Sequence, residues 1–462
     1  MKFTKGDRLM KRESFGSKFG VLAAAAGSAI GLGNIWRFPY MAGKNGGAAF
    51  IFVYLIAVIV IGTPLMISEL ALGRKTKTNS MGAYKKIRPK SKWKYTGLLA
   101  VITSFIILSF YSIIAGWVFT YLQQSVVGKL IKVAPNQLEG YFTTLSSNTF
   151  SSLFWSGIVV GVTAFIVIAG IQNGIEKYSK LLMPILFFTL VALMIRSLTL
   201  KGAGEGLEFL FKPDFSQLTG KSLLEALAHA FYSLSLGMGI IITYGSYIDK
   251  KESILPLSLQ VIAADTIMAL MAGIVIFPAV FAYGFEPQSG PSLIFITLPA
   301  VFQAMPLGMI FEILFFVLIG IAAITSTISL LEVSVSFVTE EFKMNRKKAT
   351  IILALGAFAL SIPSTLSFGL WQNVKIFGMS IFDFMDYMAS YVFLTLGGLF
   401  TCVFVGWIWG TEEAFSEVTS DGLHKVPGYQ VYRFIIKYIA PIAIGLIFLS
   451  STGIIDWVLE RL

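Results

Sequence analysis

Eleven long apolar stretches, separated by short polar and basic segments, run the length of the chain. A helix needs about 20 apolar residues to cross the hydrocarbon core of a bilayer. The stretches at 19–41, 48–72, 96–126, 152–171, 178–198, 222–247, 253–283, 306–340, 348–366, 379–409 and 430–456 each predict a membrane-crossing helix. Two break pattern in the same way. The first carries Gly27-Ser28-Ala29-Ile30-Gly31-Leu32-Gly33-Asn34-Ile35-Trp36-Arg37-Phe38-Pro39, and the sixth carries Ser233-Leu234-Ser235-Leu236-Gly237-Met238-Gly239. Backbone groups in lipid must all find partners, so an interrupted helix persists only where it lines a cavity or is buried in protein. A matched pair of Gly-interrupted spans in the two halves of a chain points to a transporter binding site. Close helix packing is the plain alternative for Gly27-x3-Gly31.

Composition agrees with an all-α polytopic membrane protein. The chain is 56% hydrophobic and only 13% charged, against about 25% charged residues in a soluble protein. The net charge of +11 does not point to nucleic acid, because the basic residues sit in the loops. With the N-terminus cytoplasmic, 26 of the 36 Lys and Arg fall on the inner side, the bias expected of inside loops. The odd span count then puts the C-terminus outside, and the cell membrane is the expected location. Residues 1–18 are basic and polar and run into a full span, so no cleavable leader is expected. A single cysteine, Cys402, excludes a disulfide framework or a cysteine-rich metal site. The connections 127–151 and 199–221 are too long for tight turns. Residues 284–305, with Pro287, Gly290, Pro291 and Pro299, predict a re-entrant loop able to cap a cavity, followed by Pro306.

Ionisable residues inside spans are costly and are functional candidates by default. They are Glu69, His229, Asp265, Glu332 and Asp386. Where the first break leaves helical geometry, the carbonyls of Gly27, Ala29 and Ile30 become oxygen ligands. The N–H groups of Leu32 and Gly33 open a second half-helix whose positive end attracts a carboxylate. A hard cation takes several oxygens, and Asn34, Ser233, Asp265, Thr325 and Ser326 can add theirs.

The run Gly31-Leu32-Gly33-Asn34-Ile35-Trp36-Arg37-Phe38-Pro39 closely resembles the neurotransmitter:sodium symporter family. The likeness continues through Asn45-Gly46-Gly47-Ala48-Ala49-Phe50, Gly62-Thr63-Pro64-Leu65, Glu69, Gly73-Arg74, Tyr244-Gly245-Ser246-Tyr247 and Ala322-Ala323-Ile324-Thr325-Ser326. It implies a LeuT-type fold of eleven helices, a 5+5 inverted repeat with helices 1 and 6 unwound at the midplane; this family is itself the standard example of such repeats. The N-terminal segment is then 1–18, the first repeat 19–198, the second 222–409, and 430–456 an added span. The resemblance implies an importer of an amino acid coupled to co-transported Na+ at two sites, not an enzyme, and needing no organic cofactor. One sodium site takes the Ala29 carbonyl, Asn34, Ser233 and Asp265 with the substrate carboxylate. The other takes the carbonyls of Gly27, Ile30 and Ala322 and the hydroxyls of Thr325 and Ser326.

The substrate carboxylate is expected on Leu32, Gly33 and Tyr111, beside Ala29 and Ser233. Its ammonium faces the broken sixth span and Ser326. Its side chain meets Ile107, Tyr232, Ser235, Met238 and Leu330, with Tyr232 also a lid. Arg37 and Asp386 resemble an outer gate; Arg12 and Glu340, with Ser246 and Tyr247, resemble an inner one. Ordinary interfacial pairing is the alternative for these charges. The apolar residues and adaptable Met238 favour a hydrophobic or aromatic amino acid, with a small amine as the other option. Asp265 departs from members that place Asn there, and Ala269 one turn on is Glu or Ser in others. Chloride-independent transport is the expectation, against an Asp merely satisfied by hydroxyls. His229 stands where Gln is usual. It is expected as a satisfied hydrogen-bonding group, with a pH-sensing role as the alternative. Glu69 is expected to bond loosened backbone of the sixth span, and Glu332 to belong to the inner gate. A proton-coupled or sodium-independent transporter of the same fold and a non-transporting ligand sensor are the rival functions; the presence of Asn34, Thr325 and Ser326 speaks against the first.

Overall fold

The computed structural model describes residues 13–284 and 293–454. Among them the chain is helical, with no strand beyond one isolated bridge between Ile376 and Met379. Among the described residues nine helices are long and apolar enough to cross a membrane. They are α3 (Ala48–Thr76), α5 (Lys94–Val126), α7 (Thr149–Ile168), α8 (Ile171–Leu198), α12 (Ile254–Ala282), α14 (Gly308–Glu341), α15 (Arg346–Leu366), α16 (Ile381–Val418) and α17 (Tyr429–Ser451). A tenth crossing is the pair α1 (Lys18–Ala29) and α2 (Gly33–Lys44), bent by 48° at the break between them. The expected sixth span is a second interrupted pair, α10 (Gly220–Ser233) and α11 (Ile240–Tyr247). Shorter helices fill the connections: α4 (Ser80–Ile87), α6 (Leu138–Ser147), α9 (Ala203–Phe211) and α13 (Leu293–Ala304).

Both breaks have local causes. Ile30 turns extended at φ −76°, ψ 95°, so α1 stops after Ala29. The second break needs three left-handed residues, Ser235, Gly237 and Gly239, at φ of 54°, 77° and 79°. Glycine adopts that region at little cost, whereas serine does so under strain. The released backbone groups are satisfied by side chains of neighbouring helices, as burial requires. Gly237 N–H donates to Glu69 Oε1 at 2.8 Å. Ser104 donates to the Met238 carbonyl at 2.5 Å, and Ser80 to the Gly239 carbonyl at 3.1 Å. A side chain at Gly237 has no room, since its Cβ would lie 2.5 Å from the Leu394 carbonyl.

α14 lies along α5 and α11 along α3, with small residues at the second contact. A Cβ on Gly73 would stand 2.0 Å from the Ile242 carbonyl, and one on Gly245 2.7 Å from the Leu70 carbonyl. Small residues let helix backbones approach. Gly73→Ala therefore forces α3 and α11 apart. We expect a lower thermal midpoint and poorer yield, by the roughly 1–3 kcal/mol typical of overpacking. Gly161→Ala, where nothing lies within 4 Å of the new Cβ, should be neutral. Equal midpoints for the two variants would remove the close-contact account.

One expected boundary changes. The tenth span does not stop at 409: past Gly410, at φ 102°, helix resumes to Val418 and buries Glu417 against Arg74. The connections 127–151 and 199–221, too long for tight turns, hold α6 and α9. In the expected re-entrant segment, α13 is a short apolar helix largely buried in the protein, while Pro287, Gly290 and Pro291 lie outside the described residues.

Candidate substrate and ion site

The two breaks meet. Ser235, held left-handed, donates to the Ser28 carbonyl at 3.0 Å, so the strained residue of one break is anchored to the other. Beside this junction Asp265 of α12 is wholly buried. Its carboxylate accepts from Asn34 Nδ2 at 2.7 Å, from Ser233 Oγ at 3.0 and 3.1 Å, and from the Tyr54 hydroxyl at 3.3 Å. Asn34 Nδ2 also reaches Ser233 Oγ and the Asp265 carbonyl, and its Oδ1 accepts from Gly31 N–H. Three of the four residues expected at the first sodium site are thus within hydrogen-bonding distance of one another. Asn34 does not present its oxygen to them as expected. The amide nitrogen faces Asp265 because the carboxylate is the strongest acceptor within reach.

At the second expected site Thr325 and Ser326 both donate to the Ala322 carbonyl, at 3.0 and 3.2 Å. Gly27 lies against this turn: its Cβ would meet the Thr325 Cβ at 3.5 Å. Gly31 has even less room, since a Cβ there would stand 2.4 Å from Ser326 Oγ and 3.2 Å from the Tyr111 hydroxyl. Ile30 is buried at the same break.

The site divides into two spaces. A small cavity of about 30 Å³ is bordered by Ala29, Gly33, Ile107, Tyr111, Tyr232, Ser233, Ser235, Met238, Ser326 and Leu330, together with Ser28, Gly31 and Ile240. That is room for water, not for an amino acid. Above it opens a vestibule of about 490 Å³ lined by Leu32, Trp36, Arg37, Phe382, Asp386 and Tyr391 among others. Gly33, Tyr111 and Tyr232 border both spaces. The Tyr232 ring therefore partitions them, with the Arg37 guanidinium 4.6 Å from its centroid, within cation–π range. Leu32 N–H, expected to await a carboxylate, donates to the Tyr111 hydroxyl at 3.2 Å, a neutral acceptor in its place.

The expected gates are differently paired. Arg37 donates to the Tyr391 hydroxyl at 2.9 Å, Asp386 accepts from Ser390 at 2.6 Å, and no ion pair joins Arg37 to Asp386. The open vestibule between α2 and α16 keeps them apart. At the opposite end Arg12 lies outside the described residues. Glu340 accepts from Thr78 Oγ1 and Asn79 N–H, both at 2.7 Å. Ser246 bonds the Thr243 carbonyl. The Tyr247 hydroxyl donates to Glu332 at 2.6 Å, and Arg346 clasps that carboxylate through both Nη atoms. Phe15 packs edge-on to Tyr244 and Tyr247, and its N–H reaches the Tyr247 carbonyl. This end is plugged while the other is open.

His229 is buried between the rings of Phe38 and Tyr54, and neither ring nitrogen has a partner among the described residues. The expected hydrogen bond is absent because aromatic faces, not polar atoms, surround it. Sequence reasoning passed over Tyr54, Ser28 and Arg346. Tyr54 was legible as a rare hydroxyl within the apolar run 48–72. Arg346 looked like any loop cation.

An interrupted-helix membrane protein with a buried polar site between its breaks, open on one side only, is a secondary transporter of the LeuT type. Residues 12–137 and 145–457 match the sodium:neurotransmitter symporter family, and the chain belongs to it. It is 38% identical, over 97% of its length and 99% of the relative's, to an uncharacterized sodium-dependent transporter, YhdH, of Bacillus subtilis. A second uncharacterized sodium-dependent transporter, of Haemophilus influenzae, is 36% identical over 96% of this chain and 98% of its own. Among solved structures, MhsT in complex with L-phenylalanine matches with TM-score 0.88 and 45% identity, covering 96% of this chain and all of the other. The protein is accordingly a multi-pass membrane symporter that couples sodium to a small-molecule substrate.

Proposed function

We propose that this protein imports an amino acid with a hydrophobic or aromatic side chain, together with two sodium ions and without chloride. The observation that carries this reading is the buried carboxylate of Asp265 among Asn34, Ser233 and Tyr54 at the meeting point of two broken helices. A fixed negative charge beside the cation makes a second, mobile anion unnecessary. The phenylalanine held by MhsT supports the side-chain class, as do Ile107, Met238 and Leu330 in the cavity wall. In this reading α10 and α11 form one broken span, giving eleven in all. The repeats are 19–198 and 222–409, the N-terminus is cytoplasmic, and the vestibule faces outside.

Sodium at the first site turns the Asn34 amide and draws the two breaks together. The amino acid's carboxylate replaces the Tyr111 hydroxyl as acceptor for Leu32 N–H, at the positive end of α2. The cavity widens to admit the side chain, so Tyr232 swings and then closes as a lid, with Arg37 and Asp386 approaching above it. Release to the cytoplasm requires the Phe15 plug and the Glu332–Arg346 clasp to part. Thr325 and Ser326, with the carbonyls of Gly27, Ile30 and Ala322, hold the second sodium until α1 swings.

Thermal unfolding of the purified protein with each of the twenty amino acids, in sodium and in potassium, tests this directly. Ligands that bind only the folded state stabilise it by mass action, about 2.7 kcal/mol at a hundredfold excess over Kd. A shift with one or a few hydrophobic amino acids, in sodium only, is expected. A shift with sodium alone and with no amino acid would end the proposed substrate class.

A further inference from the structure

We propose that the end of the molecule carrying Phe15 also holds a site for the headgroup of an anionic glycerophospholipid, built from Arg88, Lys90 and Lys437 on an aromatic platform of Trp407 and Tyr438. The chain from 80 to 94 contains six Lys and Arg and no acidic residue. Arg88, just past α4, reaches across to α16, where Nε and Nη2 donate to the Ile408 carbonyl at 3.1 and 2.7 Å. Ile408 lies in a π-turn, Phe404–Gly410, a geometry that loosens the helical hydrogen-bond ladder and frequently marks functional sites. A second π-turn, Ile435–Ile439 of α17, packs against the first. It brings Lys437 Nζ to 5.1 Å from the centroid of the Trp407 ring, whose Nε1 donates to the Lys437 carbonyl at 3.3 Å. Tyr438 meets Trp407 edge-on at 5.7 Å. Trp407, Tyr438 and neighbouring Phe434 are all exposed on the outside of the bundle.

Two observations bear on this patch within the general excess of positive charge at one end. Several other cations at this end have carboxylate partners. Arg74, Lys75 and Lys250 face Glu417, Lys85 pairs with Glu341, and Arg346 pairs with Glu332. Arg88, Lys90, Lys92 and Lys437 have no carboxylate partner among the described residues. The patch also carries exposed Trp and Tyr rings, the residue types that anchor at membrane–water interfaces. Basic pockets between membrane helices take anionic headgroups. Arg offers a phosphodiester a planar fork, while Lys offers a movable point charge.

The test uses the purified full-length protein, with native mass spectrometry to count bound lipid and thermal unfolding to check the fold. The probes are phosphatidylglycerol, phosphatidylcholine and inorganic phosphate. Phosphatidylglycerol should be retained at least threefold more than phosphatidylcholine. Lys90→Gln combined with Lys437→Gln, which breaks none of the contacts made by Arg88, should bring retention to the phosphatidylcholine level with an unchanged midpoint in phosphatidylcholine. Lys129→Gln, at the far end of α5, should retain the lipid fully. Equal retention of the two lipids, unaltered retention in the double variant, or full displacement by equimolar phosphate would overturn the proposal. None of these readouts depends on turnover or on the transported substrate.

Discussion

Asp265→Asn is expected to raise the sodium concentration needed for half-maximal uptake at least tenfold in chloride-free medium. Tenfold corresponds to about 1.4 kcal/mol, a modest demand on a charge taken from beside a cation. Two unit charges 4 Å apart interact by about 4 kcal/mol even at an effective dielectric of 20, and this carboxylate is wholly buried. The substitution keeps size and shape. It also leaves the Ser233 and Tyr54 hydroxyls, now donors to Asp265, free to hold an anion from solution. Added chloride should therefore recover part of the lost sodium affinity in the variant while leaving the unaltered protein indifferent. Uptake into proteoliposomes, with gluconate replacing chloride, reads both effects. If the variant matches the parent in sodium dependence, or if the parent itself requires chloride, Asp265 does not provide the compensating charge.

How much of this site was legible in the sequence depended on the kind of signal. The helix breaks could be read because Gly31, Gly33, Gly237 and Gly239 interrupt apolar runs that lipid would otherwise keep helical. The residues facing the small cavity followed from those breaks and from the family resemblance; of those expected at the substrate site, only Leu32 lies on the vestibule side alone. Hydrogen-bond direction could not be read. Asn34 can be an oxygen ligand or a nitrogen donor according to what stands opposite, and it is the nitrogen that meets Asp265. Gate pairing was equally hidden, because nothing in the local pattern says that Arg37 meets Tyr391 rather than Asp386. Pairs remote in sequence were lost altogether. Arg74 and Glu417 stand 343 residues apart, and nothing in either local pattern names the other.

That pair should dominate the stability of the end bearing Phe15. Both side chains are fully buried, with Arg74 Nε 2.7 Å from Glu417 Oε1. Arg74 also donates to the backbone carbonyls of Glu252 and Glu417. One guanidinium thus ties the end of α3 to the chain just beyond α11 and to the last turn of α16. Glu417→Ala leaves that guanidinium buried without its counter-charge, a change that typically costs about 3–5 kcal/mol, large against the roughly 5–15 kcal/mol that holds most folded domains. We expect a sharp fall in thermal midpoint and in folded yield. Replacing both partners, Arg74→Met with Glu417→Leu, removes the orphaned charge along with the attraction. It should be less damaging than Glu417→Ala alone, because a buried ion pair and apolar side chains of similar volume are often near equal in stability. Lys75 and Lys250, 3.8 and 4.0 Å from Glu417 Oε2, add positive charge to the same pocket, so losing the glutamate alone is the worse change. A double-mutant cycle on thermal midpoints measures this coupling. A double variant no more stable than Glu417→Ala would mean that the Arg74 backbone contacts, rather than charge balance, hold these three helix ends together.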